Sequence, residues 1–199
     1  RALAMIQFDR LINDNAVVPF FQPIIDVQDK QVIGYEVLGR SRLFGLMSPR
    51  EMFSAASQLN METELSQVFR RQGVFVGASL PQAGNLFVNT HPLELGNDQL
   101  EHSLNDLREA FPDQQITLEI HEAAITDPAS IRRLRECLRS LNMLLAYDDF
   151  GSGQARLIEL TEVRPDFLKF DMKLVQRIDS APASRQQFVA SLVRMVSEL

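Results

Sequence analysis

From residue 85 onward, short apolar runs alternate with longer stretches of amphipathic period, and each apolar run closes on an oxygen-bearing side chain. Strands buried on both faces read as near-continuous apolar runs, and their alternation with helices points to a parallel sheet with helices outside. The pattern predicts strands over 85–90, 115–120, 143–149 and 167–171. It predicts helices over 98–110, 128–141, 154–160 and 183–199. Earlier, 17–27 and 31–40 read as two strands joined by the polar turn Gln28-Asp29-Lys30, the first made edge-like or irregular by Pro19 and Pro23. A helical stretch then covers 49–79, with proline near its start and a break around Asn60. No linker-like segment divides the series, so residues 1–199 read as one domain.

The strand ends decide between a barrel and an open doubly wound sheet. Glu36 sits late in the second strand, Asn89 in the third and Glu119 in the fourth; Asp148 and Asp149 close the fifth, and Lys169 and Asp171 lie in the sixth. A barrel gathers all these ends at one mouth. An open sheet would spread them apart, and the Gly-rich turn that nucleotide binding normally uses after its first strand is missing here. The expectation is an α/β barrel. A TIM barrel typically needs about 250 residues, so six of eight strands fit in 199 and roughly 50 residues would follow Leu199. Six strands alone would leave two raw sheet edges. The start at Arg1, with no initiator Met or signal-peptide pattern, adds the expectation of a missing upstream part.

Composition narrows the class. Hydrophobic residues at 45% and charged residues at 23% suit a soluble globular protein, and no apolar stretch is long enough to span a bilayer. The lone Cys137 forbids an internal disulfide and suits a reducing compartment, so a cytoplasmic location is expected. Membrane attachment through parts outside this chain is compatible with that. Cys137 falls in the helical pattern Ile131-Leu134-Cys137-Leu138-Leu141 and reads as core rather than nucleophile. Zinc binding by cysteine and histidine clusters is excluded by the same count. A net charge of -6 without a basic stripe argues against DNA or RNA as partner, while a small anionic ligand stays open because bound cations can reverse the sign of an acidic cleft.

The chemistry centres on Asp148-Asp149-Phe150-Gly151-Ser152-Gly153, which follows an apolar run. Paired carboxylates there need compensation by a cation, hydrogen bonds or a nearby base, and the glycines allow a sharp turn. A metal or phosphate site is favoured over a solvated Asp-Asp turn. Glu36, Asn89, Glu119, Asp148 and Asp149 supply only hard oxygen donors, which suits Mg²⁺ or Mn²⁺. Four carboxylates in one pocket make two ions more plausible than one. A metal pair about 3.5–4 Å apart can clamp a phosphoryl group. Lys169 lies inside the apolar run Phe167-Leu168-Lys169-Phe170 and shares a strand face with Asp171. The two form either a structural ion pair, or Lys169 orients water and balances charge as a phosphate bond breaks.

Six segments in order resemble the EAL domain family of cyclic di-GMP phosphodiesterases: Gln22-Pro23-Ile24, Tyr35-Glu36-Val37-Leu38-Gly39-Arg40, Phe87-Val88-Asn89, Leu118-Glu119-Ile120-His121-Glu122, the Asp148–Gly153 segment and Leu168-Lys169-Phe170-Asp171. The resemblance covers nearly the whole chain and implies a modified TIM barrel whose first strand runs antiparallel to its neighbour. The short link between the first two strands fits that, since it could not carry a parallel crossover. The resemblance further implies that Glu36, Asn89, Glu119 and Asp148 are metal ligands, with Asp149 bridging to a second ion. Lys169 and Glu36 take the catalytic positions. Arg40 would bind substrate phosphate, for which its bidentate fork suits it; Gln22 and Leu38 match substrate contacts. Glu122 matches a glutamate that holds the loop from Phe150 to Gln154, and Asp171 is grouped with it as loop-stabilising. That loop is linked in the family to metal binding and dimerisation, so a homodimer is expected, as is a regulatory domain in the same protein.

The implied reaction is hydrolysis of one phosphodiester bond of cyclic di-GMP to the linear dinucleotide. A catalytically silent cyclic di-GMP receptor is the alternative; a metal-dependent aldolase or other barrel lyase would leave the ordered motifs unexplained. Two departures stand out. The alanine of the motif is Val37, expected to point away from the donors. His121 replaces a common threonine and should face the Glu119 side, either perturbing the site or bonding a backbone carbonyl as a core histidine. His91 and His102 receive no role.

Overall fold

Turn chemistry and strand-end glycines set the frame into which the strands fall. The computed structural model describes residues 2–14, 16–81, 84–125, 127–152 and 157–198, with backbone alone at 2–4, 157 and 158. Its strands are β1 (Val17–Ile25), β2 (Val32–Ser41), β3 (Asn85–Asn89), β4 (Ile116–His121), β5 (Leu144–Phe150) and β6 (Phe167–Phe170). The helices are α1 (Ala2–Asn13), α2 (Pro49–Ser57), α3 (Glu62–Gly77), α4 (Asp98–Ala110), α5 (Pro128–Ser140), α6 (Leu157–Glu162), α7 (Met172–Val175) and α8 (Ala183–Glu198). Short 3₁₀ turns follow β3 and β4. None of the described helices is long and apolar enough to cross a membrane.

The sheet runs in the linear order β1-β2-β3-β4-β5-β6. β1 and β2 pair antiparallel through a tight link, and every later pair is parallel. Sequence patterning anticipated this order. It also anticipated the helix break: α2 ends and α3 begins on either side of Asn60, whose φ of 54° is the left-handed conformation that asparagine tolerates. Ser48 caps α2 in a reciprocal box with Glu51, and Pro49 occupies its first turn. Three differences are local. α1 precedes the first element expected from sequence. The helix expected over 154–160 runs Leu157–Glu162, and the start of the expected span lies outside the described residues. β6 stops at Phe170, because Asp171 leaves the strand to cap α7 with its side chain on the Lys173 N–H.

The sheet is strongly curled. Strands lie about 4.8 Å apart, so in a flat sheet Glu36 on β2 and Lys169 on β6 would be separated by about 19 Å. Their charged atoms are 3.1 Å apart. Likewise Phe87 of β3 and Phe167 of β6 meet edge-to-face with ring centroids 5.0 Å apart across the concave side. Phe87 is buried there, and below it the amide of Asn85 meets the hydroxyl of Thr117 at 2.8 Å. The convex side carries Val37, Leu86, Val88, Leu118, Ile120, Leu145 and Tyr147, packed beneath α3, α4 and α5. A second apolar cluster joins α1, α2, the first half of α3 and Val17.

One close approach fixes the helix layer. A Cβ added at Gly73 of α3 would lie 2.3 Å from Cγ1 of Val37, so the bare glycine lets the helix sit on β2. Val37 points into this layer, away from the oxygen donors, as expected. Cys137 is half-buried on α5 beside the buried Leu134 and Leu138, and burial pushes its thiol up, as suits a packing residue.

Candidate active site

Strand alternation and register together dictate which side chains face the concave side. Glu36 is level with Phe87, Asn89 with Glu119, Glu119 with Ala146 and Ala146 with Phe167. A step of two along each strand keeps the same face, so Glu36, Asn89, Glu119, Asp148 and Lys169 all line the concave mouth. Glu36, Glu119 and Asp148 each bring a carboxylate oxygen within 4.8 Å of the other two. The Lys169 ammonium sits among them, 2.7 Å from Glu119, 3.1 Å from Glu36 and 3.1 Å from Asp148. The pairing of Lys169 with Asp171 entertained from sequence is replaced by this three-way contact. Period-two reasoning sees neighbours on one strand, whereas curl brings distant strands together.

Glu119 is the most perturbed of the set. Its side chain is fully buried; Oε1 faces the Lys169 ammonium at 2.7 Å, and Oε2 has no hydrogen-bond partner among the described residues. Burial, reinforced by the charges of Glu36 and Asp148 and only partly offset by Lys169, pushes its carboxyl up to about 8. Burial alone would lower the Lys169 ammonium, but Glu119, Asp148 and Glu36 outweigh it and hold it above its ordinary value. A buried carboxylate with one oxygen left without a partner, in a set made only of oxygen donors, fits a hard divalent cation. Glu36, Glu119 and Asp148 would hold it.

Asp149 stands apart from that close triad. Its backbone is left-handed at φ 55°, which breaks strand alternation and brings its carboxylate to 3.3 Å from Nε2 of His121. Burial and the neighbouring Asp148 raise its carboxyl, with His121 opposing. Glu122 is buried and accepts the Gly151 N–H at 2.8 Å, holding the start of the loop after β5. Gly153 and Gln154 of that loop lie outside the described residues.

Asn89 is exposed at the end of β3 and lines a cavity of about 370 Å³ with Glu36, Leu38, His91 and His121. Gln22 lies directly opposite Glu36 on β1, and Leu38 opposite Phe20. Arg40 is partly buried at the far end of the same β2 face; it donates to the Gly39 carbonyl, and its guanidinium carbon is 6.0 Å from the Phe20 ring centre. It borders a separate cavity of about 230 Å³. A larger cavity, about 650 Å³, lies between α3 and α4 and is away from every converging carboxylate. Volume alone therefore misplaces the chemistry. His91 stacks on Phe53, and His102 contacts the Asp98 carbonyl.

Sequence reasoning missed a brace behind Asn89. Arg70 of α3 and Glu94 form a buried bidentate ion pair at 2.6 and 2.8 Å. Arg70 also reaches the Asn89 carbonyl at 3.4 Å, and Glu94 accepts the His91 N–H. The available signal was an arginine on the Ser66-Arg70-Gly73-Gly77 face, where α3 is otherwise small and buried.

The family profile described as EAL domain matches residues 6–199. The chain belongs to the EAL domain family. This EAL domain is 26% identical over 200 residues to the probable cyclic di-GMP phosphodiesterase PdeG of Escherichia coli K12, covering 94% of the chain and 39% of that protein. It is 31% identical over 173 residues to the cyclic di-GMP phosphodiesterase RocR of Pseudomonas aeruginosa, covering 83% and 44%. The chain thus spans less than half the length of these curated relatives. Among solved structures, the manganese and cyclic di-GMP complex of Klebsiella pneumoniae BlrP1 superposes with a TM-score of 0.79 at 30% identity, over 92% of this chain and 47% of that one. The FimX EAL domain of P. aeruginosa superposes at 0.82 with 20% identity, over 98% and 81%, and this likeness bears on the fold. The architecture of this EAL domain is accordingly the modified TIM barrel, with β1 antiparallel and six strands in this chain.

Proposed function

We propose that this EAL domain hydrolyses one phosphodiester bond of cyclic di-GMP, using two divalent cations, Mg²⁺ or Mn²⁺. The observation that carries the reading is the convergence of Glu36, Glu119 and Asp148 from three strands within 4.8 Å of one another, with Lys169 between them. Similarity to RocR and to the BlrP1 complex supports the choice of substrate. Glu36, Glu119, Asp148 and Asn89 would hold one ion, and Asp149 would reach the second. The cations would polarise phosphoryl oxygens and acidify a water.

The remaining work falls to the chain itself. Lys169, held charged by its carboxylates, would donate to the attacking water or to the departing oxygen and so stabilise charge as the bond breaks. Arg40 would fork onto a substrate phosphate, with Gln22 and Leu38 lining the same β1–β2 face. Glu122, through Gly151, and Asp171, through the turn into α7, would keep the loops beside Asp149 and Lys169 in place. The likeness also carries the expectation of a homodimer and of a regulatory domain in the same protein; light scattering of the full-length protein tests the first.

Incubating the full-length protein with cyclic di-GMP and Mg²⁺ or Mn²⁺, then separating the products chromatographically, tests the proposal. The linear dinucleotide should accumulate with metal and stop with chelator. Tight binding without turnover would instead establish the silent receptor.

A further inference from the structure

His121 terminates β4 level with Asp148, so its ring faces the concave mouth, where it is 42% exposed. Its two nitrogens have different partners. Nδ1 accepts the Ala123 N–H at 3.1 Å and thereby caps the 3₁₀ turn that follows. Nε2 lies 3.3 Å from Oδ2 of Asp149. An Nδ1 that accepts carries no proton, so in the neutral imidazole the proton resides on Nε2. That tautomer turns the Nε2–H of His121 towards Asp149 across the 3.3 Å contact.

Asp149 needs such a partner. Its left-handed backbone lifts it out of the strand alternation that orients Asp148, and among the described residues its carbonyl accepts the Ser152 N–H at 3.0 Å. Neither feature fixes the direction of its carboxylate. We infer that His121 is a positioning residue: its Nε2–H aims one Asp149 oxygen and leaves the other free for the second cation. The inference rests on the two-ion reading above. Carboxylates that ligate metals are themselves held by hydrogen bonds, and losing such a partner typically weakens metal binding about 10–100-fold.

The two nitrogens allow a test that separates positioning from capping. A glutamine places its terminal amide near the Nε2 position and can donate to Asp149, but it forfeits the cap. An asparagine places its oxygen near the Nδ1 position and can accept from Ala123, but it cannot reach Asp149. Mn²⁺ would be titrated calorimetrically into metal-stripped wild type and the His121→Ala, His121→Gln and His121→Asn variants, with circular dichroism as the check on folding. Wild type should bind two ions. His121→Ala and His121→Asn should weaken the second by about 10–100-fold and leave the first within a few-fold, while His121→Gln stays near wild type. Equal two-ion binding by all four, or rescue by asparagine and not glutamine, would overturn the inference and leave the two-ion reading standing. A wild-type chain that binds no Mn²⁺ would overturn both.

Discussion

The Lys169 ammonium lies 2.7 Å from Oε1 of Glu119, in the middle of the carboxylates that would otherwise face a divalent cation. In the metal-free chain Lys169 is thus the internal counterion of the site. Above about pH 8, where Glu119 is ionised, Lys169→Met should destabilise the metal-stripped chain by roughly 1–3 kcal/mol, since it strands that buried charge. Saturating Mn²⁺ should close most of that gap. Turnover of cyclic di-GMP should fall about 100-fold or more with far less effect on substrate binding. Chemical denaturation with and without Mn²⁺, beside steady-state kinetics, reads both effects; equal stability of the two metal-free proteins would contradict the counterion role.

The raised carboxyl of Glu119 has a definite sign in the pH dependence of stability. Its value moves from the ordinary 4.5 up to about 8, so the folded chain retains a proton that the unfolded chain releases. This contribution is fully present below about 4.5 and is lost as pH rises towards about 8. Glu119→Gln cannot ionise. In metal-free buffer, its stability relative to wild type should therefore increase steadily across that window, as followed by urea unfolding at several pH values. A difference independent of pH would show that Glu119 ionises normally.

Metal binding must expel the same proton. Calorimetric titration of Mn²⁺ near pH 7 in buffers of different ionisation enthalpy should reveal proton release that disappears in Glu119→Gln. Proton release that persists unchanged in the variant would place the titrating group elsewhere.

Much of the fold was legible because period two and period 3.6 are local properties. The parallel β/α alternation, the break at Asn60 and the concave-facing positions of Glu36, Glu119 and Asp148 all follow from spacing along the chain. The partners of Lys169 were not legible, since they lie on other strands and depend on how far the sheet curls. Nor was the side on which Asp149 falls: alternation would send it opposite to Asp148, and a positive φ reverses that. The Arg70–Glu94 brace spans α3 and the loop after β3, a separation that no local pattern reports.

The departure at Val37 also has a structural counterpart, in the missing side chain of Gly73. Gly73→Ala should destabilise by about 1–3 kcal/mol through overpacking, despite the gain of roughly 1 kcal/mol in helix propensity. In a Val37→Ala background the same change should be nearly neutral or stabilising, giving a coupling of about 1 kcal/mol or more in a double-mutant cycle. Additive effects would show that the two residues do not compete for space.

Glu36, from a strand far from Glu119 and Asp148 in the chain, is expected to share a cation with them. Electron paramagnetic resonance measures this directly, because free Mn²⁺ gives a sharp six-line signal that collapses on binding. Titrated with metal-stripped wild type, that signal should fall in proportion to protein. With Glu36→Ala the affinity should drop by more than the roughly 10–100-fold typical of outer-shell partners. Undiminished Mn²⁺ binding by a folded Glu36→Ala would contradict the account.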